Sequence, residues 1–169
     1  MNDLLWDDVK DLFDPHVMGA LPDLRVPDTS PRGWQALLDL VRESGWGHRY
    51  SEGSTVLPLP RARDVLTRPS DGECPELRVR PVVGVVAIFR FLDAGEIDFD
   101  VDLRELQGQE RLNVLCDFMA AIGRRLGRPV LMDPEGDRGR PVPGFDVRAD
   151  RVIRLAAPEG RAFSENRTR

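Results

Sequence analysis

Lysine is almost missing from this chain: Lys10 stands alone against 23 arginines. Such a bias follows genomes rich in G and C, and it points to a high-GC bacterial source. It does not point to nucleic acid, because the net charge is −5 and the isoelectric point about 5.1, so a polyanion is repelled on average. Histidine is scarce too. His16 and His48 are the only two, and there is no HExxH, no CxxC and no calcium loop. A structural zinc site is therefore not expected, and no metal or other cofactor is assigned. Two cysteines, Cys74 and Cys116, are too few for a disulfide framework. Long hydrophobic runs are absent as well: Pro81–Phe89 is about half the length of a membrane helix. The opening Met1-Asn2-Asp3 leads into acids rather than into a basic and then apolar leader. The expectation is a cytoplasmic protein that meets no membrane, in which the Asn166-Arg167-Thr168 sequon carries no glycan.

Against these absences stands one stretch of unbroken alternation, Glu96-Ile97-Asp98-Phe99-Asp100-Val101-Asp102. In a β-strand Ile97, Phe99 and Val101 share one face, and Glu96, Asp98, Asp100 and Asp102 share the other. Same-side neighbours then lie about 6.5–7 Å apart. A row of four carboxylates meets water, a cation or a basic partner.

Charge is also uneven along the chain. Residues 1–28 carry seven aspartates against Lys10 and Arg25, whereas residues 138–169 carry eight arginines against four acids. The acidic start and the basic end are expected to lie near each other in the fold.

Elements can be placed by periodicity and punctuation. Residues 3–13 read as an amphipathic helix with Leu5, Val9, Leu12 and Phe13 on one face, stopped by Asp14-Pro15. A short extended piece follows around Leu24-Arg25-Val26. Ser30 and Pro31 open a helix whose stripe is Trp34, Leu37, Leu38 and Val41, and Gly45 closes it. Residues 46–50 and 54–59 form a hairpin around Glu52-Gly53, with Pro58 and Pro60 confining its second arm to an edge. One or two helical turns fit 61–67, and 68–76 is loop. Leu77–Val82 and Val83–Leu92 are strands with a bend at Gly84, and Asp93-Ala94-Gly95 turns into the acidic strand 96–102. The longest helix, 108–126, is marked by Leu112, Leu115, Met119, Ile122 and Leu126, and Gly127 caps it. Pro129–Met132 is a strand, 133–144 a loop, 151–157 a last strand, and 158–169 a flexible tail.

Catalytic signatures fail one by one. There is no GxSxG elbow, and Ser44-Gly45-Trp46-Gly47-His48 is a helix cap leading into a strand. Cys116 belongs to an apolar stripe, while Cys74 is a thiol without visible activation. The Gly136-Asp137-Arg138-Gly139-Arg140 loop lacks the phosphate-loop pattern and the helix behind it. Asp98, Asp100 and Asp102, with Glu135, form the only set suited to a divalent-metal-dependent hydrolase. Trp46 and Tyr50 flank Arg49 on the hairpin; their first expectation is core packing, and they are also named as partner-binding residues because Trp, Tyr and Arg anchor protein interfaces when exposed.

Residues 96–145 run from the acidic strand through a Gln-rich helix start, an amphipathic helix and a Gly127-Arg128-Pro129 strand to Glu135-Gly136, and Pro143-Gly144-Phe145-Asp146 follows. This order resembles a segment of small uncharacterised actinobacterial proteins, and its layout is similar to that of bacterial toxin-immunity proteins. The resemblance implies a cytoplasmic α+β domain that binds another protein. It transfers no functional residue.

The expected architecture is one α+β domain over residues 1–157. A mostly antiparallel sheet of five to seven strands carries two main helices on one face and the N-terminal helix at an edge. The expected function is a non-enzymatic protein-binding module, in its sharpest form an immunity-type inhibitor. It would present Glu96, Asp98, Asp100 and Asp102, with Trp46 and Tyr50, to a basic toxin domain. The hydrolase is the alternative.

Overall fold

The alternating stretch lies at the centre of a nine-stranded antiparallel sheet in the computed structural model, which describes residues 4–69, 72–137, 139 and 141–155. The strands are β1 (Asp23–Val26), β2 (Gly47–Glu52), β3 (Thr55–Leu57), β4 (Pro75–Val82), β5 (Val85–Asp93), β6 (Glu96–Asp100), β7 (Val130–Asp133), β8 (Pro143–Asp146) and β9 (Arg151–Arg154). Their spatial order is β3-β2-β4-β5-β6-β1-β7-β8-β9. The sheet is thus wider than the five to seven strands expected. β8 lies where the sequence reads as loop and its sequel, whereas the short edge strand β3 is the second arm of the hairpin expected over 54–59.

β4 and β5 are joined by Val83-Gly84, with Gly84 at φ +87°, a conformation glycine adopts without a steric penalty. The hairpin β5–β6 turns at Ala94-Gly95. β1 comes early in the chain yet lies between β6 and β7, pairing Leu24 with Phe99 on one side and with Met132 on the other.

Two long helices cover one face. α3 (Pro31–Glu43) starts at Ser30, whose hydroxyl accepts from the Gly33 amide. Its Trp34 is fully buried, packs 4.7 Å from the Phe91 ring and donates its indole N–H to the Asp93 carbonyl at 2.9 Å. α5 (Gln109–Leu126) ends at Gly127, which is left-handed as the sequence requires. Phe118 of α5 meets Phe89 and Phe99 edge to face, and those two rings stack at 4.5 Å. At its other end α5 comes so close to β8 that a Cβ on Gly123 would lie 2.1 Å from the Phe145 ring. α4 (Ala62–Leu66) packs against α3.

The N-terminal segment departs from the single helix expected over 3–13. It is broken into α1 (Trp6–Val9), a 3₁₀ turn (Lys10–Phe13) and α2 (Pro15–Met18). Asp14-Pro15 ends one turn and starts the next, since the Asp14 carboxylate accepts from the His16 amide and Pro15 occupies the first helical position. Leu5 is exposed, while Val9, Leu12 and Phe13 are buried. The segment is tied to the sheet edge, where Arg154 of β9 donates to the Asp8 carbonyl and pairs with Asp11 at 3.4 Å. Acidic start and basic end meet there, as expected. The tail 158–169 lies outside the described residues.

Candidate functional site: the uncovered face of the sheet

Each central strand turns alternate residues away from the helices. β6 buries Ile97 and Phe99 and leaves Glu96, Asp98 and Asp100 partly exposed, so the alternation is realised as a pleated strand. β1 does the same with Leu24 and Val26 inside and Asp23 and Arg25 outside. β5 buries Val85, Ala87 and Phe89 and turns Val86, Ile88 and Arg90 outward.

Register then sets the rows that cross the strands. One runs Ser51, Glu76, Arg90, Asp98, Arg25, Leu131. The next runs Arg49, Arg78, Ile88, Asp100, Asp23, Asp133. Directly opposed side chains in such rows are about 5 Å apart at Cβ and interact. The first row alternates in sign, Glu76–Arg90–Asp98–Arg25. The second is polarised, with arginines on β2 and β4 and aspartates on β6, β1 and β7.

The acidic strand is therefore not a ridge of carboxylates alone. Arg90 pairs with Asp100 across one diagonal. Arg25, a β1 residue, donates from Nε to Asp133 at 2.7 Å. Asp133 is fully buried and also accepts from the Gly139 amide at 3.2 Å. Asp98 sits between Arg25 and Arg90 in register. Burial and the neighbouring Asp100 carboxylate push its pKa above the ordinary carboxylate value, and Arg25 draws it back.

Asp102 has left the strand, which ends at Asp100. Its carboxylate caps the 3₁₀ turn Leu103–Glu105, accepting from the Arg104 amide at 2.9 Å and pairing with the Arg104 guanidinium at 2.7 Å. That hydrogen bond holds Asp102 below the usual carboxylate range.

The aromatic pair expected at the partner surface lies elsewhere. Tyr50 is 2% exposed, packs edge to face on Phe91 and donates its hydroxyl to Glu52 at 2.7 Å. Burial, reinforced by that bond, pushes its phenol upward. Tyr50 is a core residue, which corrects its assignment to a partner surface. Trp46 is partly buried 4.9 Å from Phe118, on the helix side of the sheet. It lines a cleft of about 220 Å³ with Pro81, Val82, Val114 and Asp117. The six residues expected to act together thus do not share one surface. Glu96, Asp98 and Asp100 do.

Glu135, the fourth carboxylate of the hydrolase reading, is occupied as a latch. It accepts from the Leu21 amide at 3.0 Å, its own amide donates to the Met18 carbonyl, and it lies against Gly19. Among the described residues no group of three or more His, Cys, Asp or Glu side chains is arranged to hold a metal ion. No described helix is long and apolar enough to cross a membrane.

Sequence reading missed Asp23, Arg25, Arg90 and Asp133 as members of this face. The signal was present in Asp23-Leu24-Arg25-Val26, which alternates just as 96–102 does, but four residues do not disclose which strands they join. No family model, no curated protein and no solved structure matches the chain.

Proposed function

We propose that the chain is a non-enzymatic protein-binding module acting in the cytoplasm, of the immunity-inhibitor kind, whose contact surface is the uncovered sheet face around Asp98 and Asp100. The polarity of the second row carries this reading: Arg49 and Arg78 at one side, and Asp100 and Asp23 at the other, on paired strands of one sheet. A basic partner is drawn to the acidic half and turned by the basic half, which fixes orientation as well as speeding encounter. Arg25 and Arg90 keep the carboxylates in place, so little side-chain freedom is lost on binding.

The test uses the full chain as bait in its native host, then surface plasmon resonance on the purified captured protein. The reading expects a basic protein whose association rate falls with salt. It expects Asp98→Asn with Asp100→Asn to slow association by about tenfold, with the thermal midpoint little changed. Association that ignores both salt and the double substitution overturns it. Saturable thermal stabilisation by Mg²⁺ or Mn²⁺, lost in the same variant, would support the divalent-metal-dependent hydrolase instead.

A further inference from the structure

On the helix side, α3 and α4 enclose a groove of about 730 Å³ lined by Arg32, Gln35, Asp39, Arg42, Arg61 and Arg63, with Pro31 and Ala62. Four guanidinium groups meet one carboxylate there, in a chain whose net charge is −5.

The floor is a closed network. Gln35 accepts from the Ala62 amide at 2.9 Å and donates to Asp39 at 2.9 Å. Arg42 donates to Asp39 at 3.2 Å, and its other terminal nitrogen donates to the Leu59 and Pro60 carbonyls. This network clips the start of α4 to α3 and uses up the one acid. The rim differs: Arg32 and Arg61 are exposed and form no ion pair among the described residues, and the nearest carboxylate to Arg63 is Asp64, at 3.9 Å. Arg32 also borders a second hollow of about 270 Å³, shared with Asp28, Arg125 and Arg128, in which Arg125 is paired with Glu43 at 2.7 Å.

We infer that this groove binds a small polyanion carrying two or more phosphoryl groups, held by Arg32, Arg61 and Arg63 over the Gln35–Asp39–Arg42 floor. Guanidinium groups match phosphate oxygens as bidentate donors. The volume falls in the range of small-ligand sites, about 300–1,000 Å³. One phosphate satisfies one or two of the rim arginines, whereas a chain of phosphates reaches across from α3 to α4. The site is independent of the sheet face proposed to bind protein, from which the sheet separates it.

The test is calorimetric titration of the full chain with inorganic tripolyphosphate and with a nucleoside triphosphate, both free of metal, at two salt concentrations. Saturable one-to-one binding is expected. The double variant Arg32→Gln, Arg61→Gln should weaken it at least tenfold, as expected for loss of charge-assisted hydrogen bonds to phosphate oxygens. Arg148→Gln, an exposed arginine outside the groove, serves as the control and should bind like the wild type. Equal affinity for both ligands says that the phosphate chain alone is recognised, and preference for the nucleotide says that the groove also holds the base; either supports the site. Absence of saturation, an equal loss in the Arg148→Gln control, or binding only to long RNA overturns it.

Discussion

On its inner face β6 places Ile97 and Phe99 against Phe89, Phe118 and the rest of one apolar cluster. On its outer face the same strand places Asp98 and Asp100 among Arg25 and Arg90. Residues one apart in sequence thus obey different physics. Inside, the force is removal of apolar surface from water, which is indifferent to partner identity and tolerant of substitution at constant volume. Outside, strand order decides which charges stand beside one another, opposite in sign along one row and like in sign at the two ends of the next, in a setting where solvent screens most of the energy. The inner face should determine whether the chain folds, and the outer face what it meets.

The largest effect that this comparison predicts is at Phe99. Phe99→Ala should cost about 3–5 kcal/mol of unfolding free energy, because its ring is 1% exposed and touches both Phe89 and Phe118. Chemical denaturation checks it. A loss below about 1 kcal/mol would mean that the inner face is not the cohesive one.

Asp133 sharpens the comparison because it belongs to the outer row yet is as buried as the core. Asp133→Ala should cost about 2–3 kcal/mol, since it strands the Arg25 guanidinium and the Gly139 amide. Asp133→Asn keeps the shape and loses the charge, and should recover part of that. If both variants unfold like the wild type in urea, the outer row has no structural member at all.

Much of this division was legible beforehand. α3 and α5 announce themselves by local signals: Ser30-Pro31 at one start, Gly127 at one end, and apolar stripes between. The alternation of 96–102 correctly sorted Ile97, Phe99 and Val101 inward. What could not be read was pairing between distant segments. β1 is four residues long, and nothing near it in sequence says that it divides β6 from β7. The locking of Asp100 by Arg90, and of Arg25 by Asp133, follows from that strand order, so a carboxylate row looked purely acidic. Tyr50 illustrates the complementary case: Trp, Arg and Tyr in series on a hairpin fit either a core or a surface anchor, and the covering helices make its face interior. Arg32 and Arg61 share a groove only because α4 returns to α3, which no spacing in the chain reveals.

Smaller effects test how far the outer face is merely local. Asp102→Ala should cost about 1 kcal/mol, the usual loss for removing a capping side chain. Its carboxylate is held below the ordinary range by Arg104, so its contribution is present above the pKa of the unfolded chain and is lost as pH falls through the folded value. Thermal midpoints of wild type and variant should therefore converge in acid and separate at neutral pH. Midpoints equally separated at every pH would assign the loss to backbone strain rather than to the cap.

Asp98 should show the opposite sign. Burial and Asp100 raise its pKa, so the folded chain holds that proton more tightly than the unfolded one does. Ionising Asp98 therefore weakens the fold, and the penalty grows as pH rises from the ordinary carboxylate value, 3.8, through the raised one. Asp98→Asn, which carries no such charge, should be slightly more stable than wild type at neutral pH, with the advantage vanishing in acid. The measurement is the thermal midpoint of both proteins from acid to neutral pH. A variant less stable than wild type at neutral pH would mean that attraction to Arg25 and Arg90 outweighs desolvation, making Asp98 a structural ion-pair partner. A more stable variant that also binds its partner more slowly would mark a carboxylate retained at a cost to the fold, where selection for binding explains its presence better than stability does.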